Sequence, residues 1–110
     1  MRILFMGTPE FALDSIKKLD KNHDVIGIFT KVDKPNRRGK KIKFNPIKQY
    51  GLDNDIPVYQ PNSVKTDETI ELVKKLNPDI IVVVAYGKIL PQEVIDIPQK
   101  GIINVHSSLL

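Results

Sequence analysis

The sequence predicts an α/β fold with a mainly parallel sheet flanked by helices, and two stretches carry that prediction. The first is a strand, helix, strand order at the N-terminus, of a length suited to a parallel crossover. The second is residues 80–85, an uninterrupted apolar run rich in β-branched side chains, the profile of a central parallel strand covered on both faces. At 110 residues the chain amounts to one domain, or part of one, with room for a single modest core.

Each element has its own local signal. Residues 2–6 read as a buried first strand. Gly7-Thr8-Pro9 ends it and opens a helix, with Thr8 placed as N-cap and Pro9 at the first helical position. Phe11, Ala12, Ser15, Ile16 and Leu19 then share one helical face. Residues 24–30 form the second strand. Asn45-Pro46 is a cap and first-turn pair for a second helix ending near Gly51, and residues 56–59 form a short third strand closed by Pro61. Residues 66–76 form a third helix capped by Thr66, with Asp67, Glu68 and Glu71 early and Lys74 and Lys75 late, an order that complements the helix dipole. Asn77-Pro78 stops it. Residues 102–105, after a Lys-Gly turn, read as a further strand buried in the sheet.

Composition narrows the function classes. Hydrophobic residues make up 41% and charged residues 27%, a globular balance, with no low-complexity tract. The absence of cysteine removes a disulfide framework, a thiolate metal site and a cysteine nucleophile, and no metal site is expected. The first apolar run is too short for a signal peptide and no stretch approaches a membrane span, so a soluble cytoplasmic protein is expected. The net charge of +4 is uneven: residues 31–48 hold eight basic side chains against one acid, Asp33. Residues 31–44 have no apolar period, and residues 35–41 read as a flexible basic loop. Two readings are open there: a solvated surface loop, or an arm that neutralises nucleic-acid phosphates without reading bases. No aromatic residue interrupts residues 31–43, and Phe44 and Tyr50 are expected to pack onto the domain.

In an open α/β sheet, ligands bind beyond the carboxyl ends of the strands. Gly7, Tyr86-Gly87 and the Asn104/His106 pair all fall at that edge. A dinucleotide site would place Gly-x-Gly-x-x-Gly after the first strand, whereas here Gly7 stands alone before Thr8-Pro9, so NAD or FAD is not expected. Side chains alternate along a strand, so Asn104 and His106 project to one side. A carboxamide can donate to an oxyanion, and an imidazole can exchange a proton with a reacting amine. The plainer alternative is that both satisfy loop backbone. Ser107 and Ser108 add hydroxyls where the chain leaves the sheet, and His23, in a polar turn, is assigned no function.

Five stretches, in order along the whole chain, resemble the methionyl-tRNA formyltransferase family. They are Met6-Gly-Thr-Pro-Glu-Phe-Ala12, Arg38-Gly-Lys-Lys41, Ile56-Pro-Val-Tyr-Gln-Pro61, Val83-Val-Ala-Tyr-Gly-Lys-Ile-Leu-Pro91 and Ile103-Asn-Val-His-Ser-Ser-Leu-Leu110. The last is shared with the wider group of enzymes using 10-formyltetrahydrofolate, which includes glycinamide ribonucleotide and amino-sugar formyltransferases. The resemblance implies a Rossmann-like formyltransferase fold, with residues 1–110 as the N-terminal part of the formyl-folate-binding domain. On that reading the fold is truncated before its last strands and a C-terminal tRNA-binding domain is absent. Asn104 and His106 match two members of the family's catalytic Asn, His and Asp set. Ser108, Leu109 and Leu110 match the start of its folate-contacting motif, and Tyr86, Gly87, Lys88 and Leu90 are expected to contact folate too. Arg38, Lys40 and Lys41 match the inserted loop that engages the tRNA acceptor end.

The implied reaction moves a formyl group from 10-formyltetrahydrofolate to the amino group of initiator methionyl-tRNA, for translation initiation. The amine would attack the formyl carbon, and Asn104 and His106 would stabilise the resulting oxyanion. A protonated His106 serves best and needs an orienting carboxylate, which the family places downstream of Leu110. The 110-residue chain is therefore expected to have little or no activity alone, and an unpaired sheet edge is expected to favour self-association. Two other readings stay open: an amino-sugar nucleotide formyltransferase, and a non-catalytic phosphate- or RNA-binding module.

Overall fold

The computed structural model describes residues 1–35 and 42–105. Its frame is a five-stranded parallel sheet in the spatial order β5 (Val58–Tyr59), β2 (Asp24–Phe29), β1 (Arg2–Gly7), β6 (Ile80–Val84), β7 (Ile102–Val105). Helices α1 (Ala12–Asn22), α2 (Pro46–Asp53), α3 (Asp67–Leu76) and α4 (Gln92–Ile95) lie in the connections between successive sheet strands. Between β2 and α2, β3 (Lys34–Pro35) pairs antiparallel with β4 (Ile42–Lys43). This is the expected Rossmann-like α/β arrangement.

The two-residue period of the strands sorts the core into two layers. Ile3, Phe5, Val82 and Val84 pack with Ala12, Ile16 and Ile47 under α1 and α2. Leu4, Met6, Ile81 and Val83 pack with Ile70, Val73 and Val94 under α3 and α4. All five residues of β6 are buried, which is why its sequence is apolar without interruption. Each such side chain contributes roughly 1.5–3 kcal/mol of transfer free energy, so the two central strands dominate the stability of the sheet. At Gly51 a β-carbon would lie 2.5 Å from Val58 Cγ2 and 2.9 Å from Ile28 Cδ1. The close seating of α2 on the sheet depends on that missing side chain.

Several helix ends follow the sequence reading. Asn45 Oδ1 accepts from the backbone N–H groups of Ile47 and Lys48, both at 2.9 Å, ahead of Pro46. Thr66 Oγ1 accepts from Thr69 N–H at 3.2 Å, and Asn77 closes α3 in the left-handed conformation.

Four expectations need correction. Thr8 does not cap α1, which begins at Ala12 after a turn in which Ala12 N–H donates to the Pro9 carbonyl. The Thr8 hydroxyl is spent across the sheet edge instead, accepting from Lys31 N–H at 3.3 Å. Phe11 consequently leaves the helical face and is 49% exposed, while Leu13 joins Leu19 against the core. β7 is an edge strand among the described residues rather than an interior one, with Ile103 half exposed. The third strand is shorter than expected, because only Val58 and Tyr59 reach β2 in register. Finally, residues 34–35 and 42–43 pair as a ribbon where composition alone suggested loop. Among the described residues, no helix is long and apolar enough to cross a membrane.

Candidate functional site

From β1 the sheet grows outward through β2 and β5, and the chain then returns to the other side of β1 as β6. Connections leave β1 and β6 in opposite directions, which opens a crevice at their carboxyl ends. Backbone geometry there is unusual. A β-carbon at Gly7 would lie 2.8 Å from the Val84 carbonyl oxygen and 2.9 Å from the Phe5 ring, so glycine lets the two strands close up. Beyond β6 the chain turns sharply through two left-handed residues, Ala85 at φ 51° and Gly87 at φ 85°. For Ala85 that conformation costs roughly 1–2 kcal/mol, a strain of the kind that gathers at functional sites.

Asn104 pairs with Val83 across β6 and β7, and Val83 belongs to the layer under α3 and α4. Register neighbours share a face, so Asn104 stands on that side of the sheet edge. It lines two clefts at once. One, of about 440 Å³, is shared with Phe11, Ala85, Tyr86 and Gly87; the other, of about 350 Å³, with Lys88, Leu90, Ile95 and Ile102. The fold thus brings together Asn104, Tyr86, Gly87, Lys88 and Leu90 from the sequence-derived site. His106, Ser108, Leu109 and Leu110 lie outside the described residues, as do Arg38, Lys40 and Lys41. An exposed carboxamide on a hydrogen-bonded strand offers two N–H donors from a fixed base, suited to holding a carbonyl oxygen or an oxyanion.

Lys88 and Tyr86 are committed differently from Asn104. Lys88 Nζ donates to the Asn62 carbonyl at 2.9 Å, tying the segment after β6 to the loop before α3. Tyr86 is 1% exposed and packs with Val64, Val73 and Val94 in the core. Its hydroxyl has no hydrogen-bond partner among the described residues, and burial pushes its pKa up to about 12. An unpaired buried hydroxyl costs roughly 1–3 kcal/mol, so Tyr86→Phe is expected to leave the melting temperature unchanged or raise it by a few degrees. The pH dependence has a definite sign. The folded phenol keeps its proton to about pH 12 while the unfolded one releases it near 10.0. Stability is therefore full below pH 10 and falls as pH rises to 12, by on the order of 2 kcal/mol for this group. Chemical denaturation at pH 9, 10 and 11 should show a shallower alkaline decline in Tyr86→Phe. Part of the decline remains, because Tyr50, desolvated and donating to Asp20 Oδ2 at 2.7 Å, is also raised to about 12.

On the other side of β1 lies a larger cavity of about 820 Å³, lined by Thr8, Lys31, Asp33, Lys43, Phe44 and Asn45, among others. Three of its lining residues, Thr8, Asp33 and Asn45, belong to polar networks that continue behind the wall. Asn45 Nδ2 donates to Thr30 Oγ1 at 3.0 Å, and Thr30 Oγ1 donates to Thr8 Oγ1 at 3.4 Å. Asp33 Oδ2 accepts from Lys48 Nζ at 2.6 Å, and Asp33 Oδ1 accepts from Gln60 Nε2 at 2.8 Å. The Lys48 hydrogen bond, followed by that from Gln60, holds the Asp33 carboxyl below the usual carboxylate range. Residue spacing did not reveal this network; its one visible sign was a single acid inside a basic run.

The model of the formyl transferase family matches residues 1–110, the whole chain. The chain belongs to the formyl transferase family. Curated relatives agree with that placement. The chain is 58% identical to a methionyl-tRNA formyltransferase of Fusobacterium nucleatum over 110 residues. It is 55% identical to one from a Sulfurihydrogenibium species and 50% identical to one from Clostridioides difficile, over 112 and 111 residues. In each case all of this chain is covered but only 36% of the relative, so the chain spans about a third of the length of these formyltransferases.

Proposed function

We propose that residues 1–110 form the N-terminal part of the formyl-folate-binding domain of a longer enzyme, which formylates initiator methionyl-tRNA for translation initiation. The observation that carries this reading is the position of Asn104, at the carboxyl edge of the sheet, where two clefts meet beside the left-handed turn at Gly87. The names of the relatives supply the substrate class. In this reading 10-formyltetrahydrofolate, the formyl donor, lies along the segment of Tyr86, Gly87, Lys88 and Leu90, with Ser108, Leu109 and Leu110 completing its contacts. The Asn104 amide donates to the formyl oxygen as it gains charge, while His106 takes the proton that the attacking amine gives up and returns it to N10 as the N10–formyl bond breaks and tetrahydrofolate leaves. Arg38, Lys40 and Lys41 neutralise backbone phosphates near the tRNA acceptor end.

The orienting carboxylate for His106 belongs, in this proposal, to the part of the enzyme beyond these residues. The expected result is formyl transfer from 10-formyltetrahydrofolate to methionyl-tRNA by the full-length enzyme, and little or none by the 110-residue chain. Turnover by the short chain would overturn the need for a further catalytic group. Failure of the full-length protein on methionyl-tRNA, with transfer to an amino-sugar nucleotide, would move the substrate assignment.

A further inference from the structure

The lone acid of the basic segment is electrostatically out of place. An aspartate beside an arm that attracts a polyanion weakens that attraction. Asp33 is nonetheless anchored through both carboxylate oxygens, one to Lys48 and one to Gln60. Its side chain is 19% exposed and that of Lys48 is 14% exposed, and their contact of 2.6 Å is reinforced by Gln60. The same Gln60 Nε2 also donates to the Lys31 carbonyl at 2.9 Å.

These contacts grip both legs of the β3–β4 ribbon. Asp33 immediately precedes β3, and Phe44 immediately follows β4. Lys48 Nζ, from the first turn of α2, binds the Asp33 carboxylate and sits 3.8 Å from the centroid of the Phe44 ring. One ammonium therefore holds the entry and the exit of the segment that carries Arg38, Lys40 and Lys41. Asn45, next in the chain, ties the exit leg to Thr30 at the end of β2. Through these links the ribbon is referred to α2, to the end of β2 and to the segment after β5.

We propose that Asp33 is a positioning residue which, with Lys48 and Gln60, fixes the two legs of the β3–β4 ribbon and so sets where the basic arm meets RNA, without touching RNA itself. This inference rests on the reading of the arm as an RNA contact. Charge and position make opposite predictions for its removal. If only net charge mattered, Asp33→Asn would tighten RNA binding, because it removes a repulsive acid. If Asp33 positions the arm, the same variant weakens binding.

The decisive experiment uses the full-length enzyme and measures initiator methionyl-tRNA affinity, tRNA KM and kcat, and tetrahydrofolate affinity. For Asp33→Asn the expected result is a roughly tenfold loss of tRNA affinity, or about 1.4 kcal/mol, with a matching rise in tRNA KM. kcat and tetrahydrofolate binding should stay unchanged, which a general loss of structure would not produce. In an Arg38, Lys40, Lys41→Ala background the loss should vanish, because a positioning effect is non-additive with removal of what it positions. Tighter or unchanged tRNA binding, or an equal loss in both backgrounds, would overturn the proposal. If the triple variant itself binds tRNA as tightly as the wild type, the RNA reading of the arm fails instead. The clamp then stands or falls on hydrogen exchange at the Lys34 and Lys43 amides, faster in Asp33→Asn if it holds the ribbon and unchanged if it does not.

Discussion

Asn104→Ala in the full-length enzyme is expected to lower kcat for formyl transfer by roughly 10²–10³-fold, the typical loss when one preorganised oxyanion donor is removed. KM for tRNA and for formyl-folate should move little if, as proposed, the amide acts where charge develops rather than where substrates are held. Stability should be nearly unaffected, since Asn104 is exposed on an edge strand and makes its sheet contacts through backbone. Asn104→Asp is the sharper variant. It preserves shape but removes the N–H donors and places negative charge beside a developing oxyanion, so its kcat should fall at least as far. Steady-state kinetics alongside a thermal melt check all of this. A kcat within a fewfold of wild type would return Asn104 to a structural role.

The second large effect is expected at the arm. Replacing Arg38, Lys40 and Lys41 together with alanine removes three phosphate contacts in the proposed complex. The slope of log affinity against log salt should become shallower by about 2–3, and tRNA binding at low salt should weaken most. Folate affinity should not change, because the proposed folate contacts come from the segment after β6 and from the chain beyond β7 rather than from the arm. Binding titrations at several salt concentrations, with calorimetry for tetrahydrofolate, separate three outcomes. A shallower slope with intact folate binding supports the tRNA enzyme. An unchanged substrate affinity, with transfer to an amino-sugar nucleotide, points to that substrate class. RNA binding with no folate affinity at all identifies a phosphate-binding module.

Much of the fold was legible because local chemistry and burial agree along this chain. β6 is apolar throughout because it is covered on both faces, and α3 carries its cap, its charge order and its left-handed stop within residues 66–77. Asn45 was readable as a cap because the asparagine–proline pair has few other uses at a helix start. Thr8 misled for the opposite reason. Its sequence context is that of a cap, but the segment leaving β2 offered its hydroxyl a different partner in Lys31 N–H. β7 misled in a similar way: a short, mostly apolar strand does not reveal how many neighbours it has.

At the site the same division holds. The carboxyl-edge position of Gly7, Tyr86-Gly87 and Asn104 followed from where each strand ends and from the alternation of side chains, both of which are local properties. The sequence by itself determined the main strands and helices of the parallel sheet, the family and the concentration of positive charge between residues 31 and 48. Only the tertiary structure decided which of those charges are spent. Lys48 is paired with Asp33 and stacked on Phe44, and Gln60 arrives from 27 residues beyond Asp33 to complete the clamp. Spacing along a chain records helix faces and strand faces because their periods are fixed by backbone geometry. A contact between segments that meet only through the sheet leaves no such period, so it becomes visible only once the chain has folded.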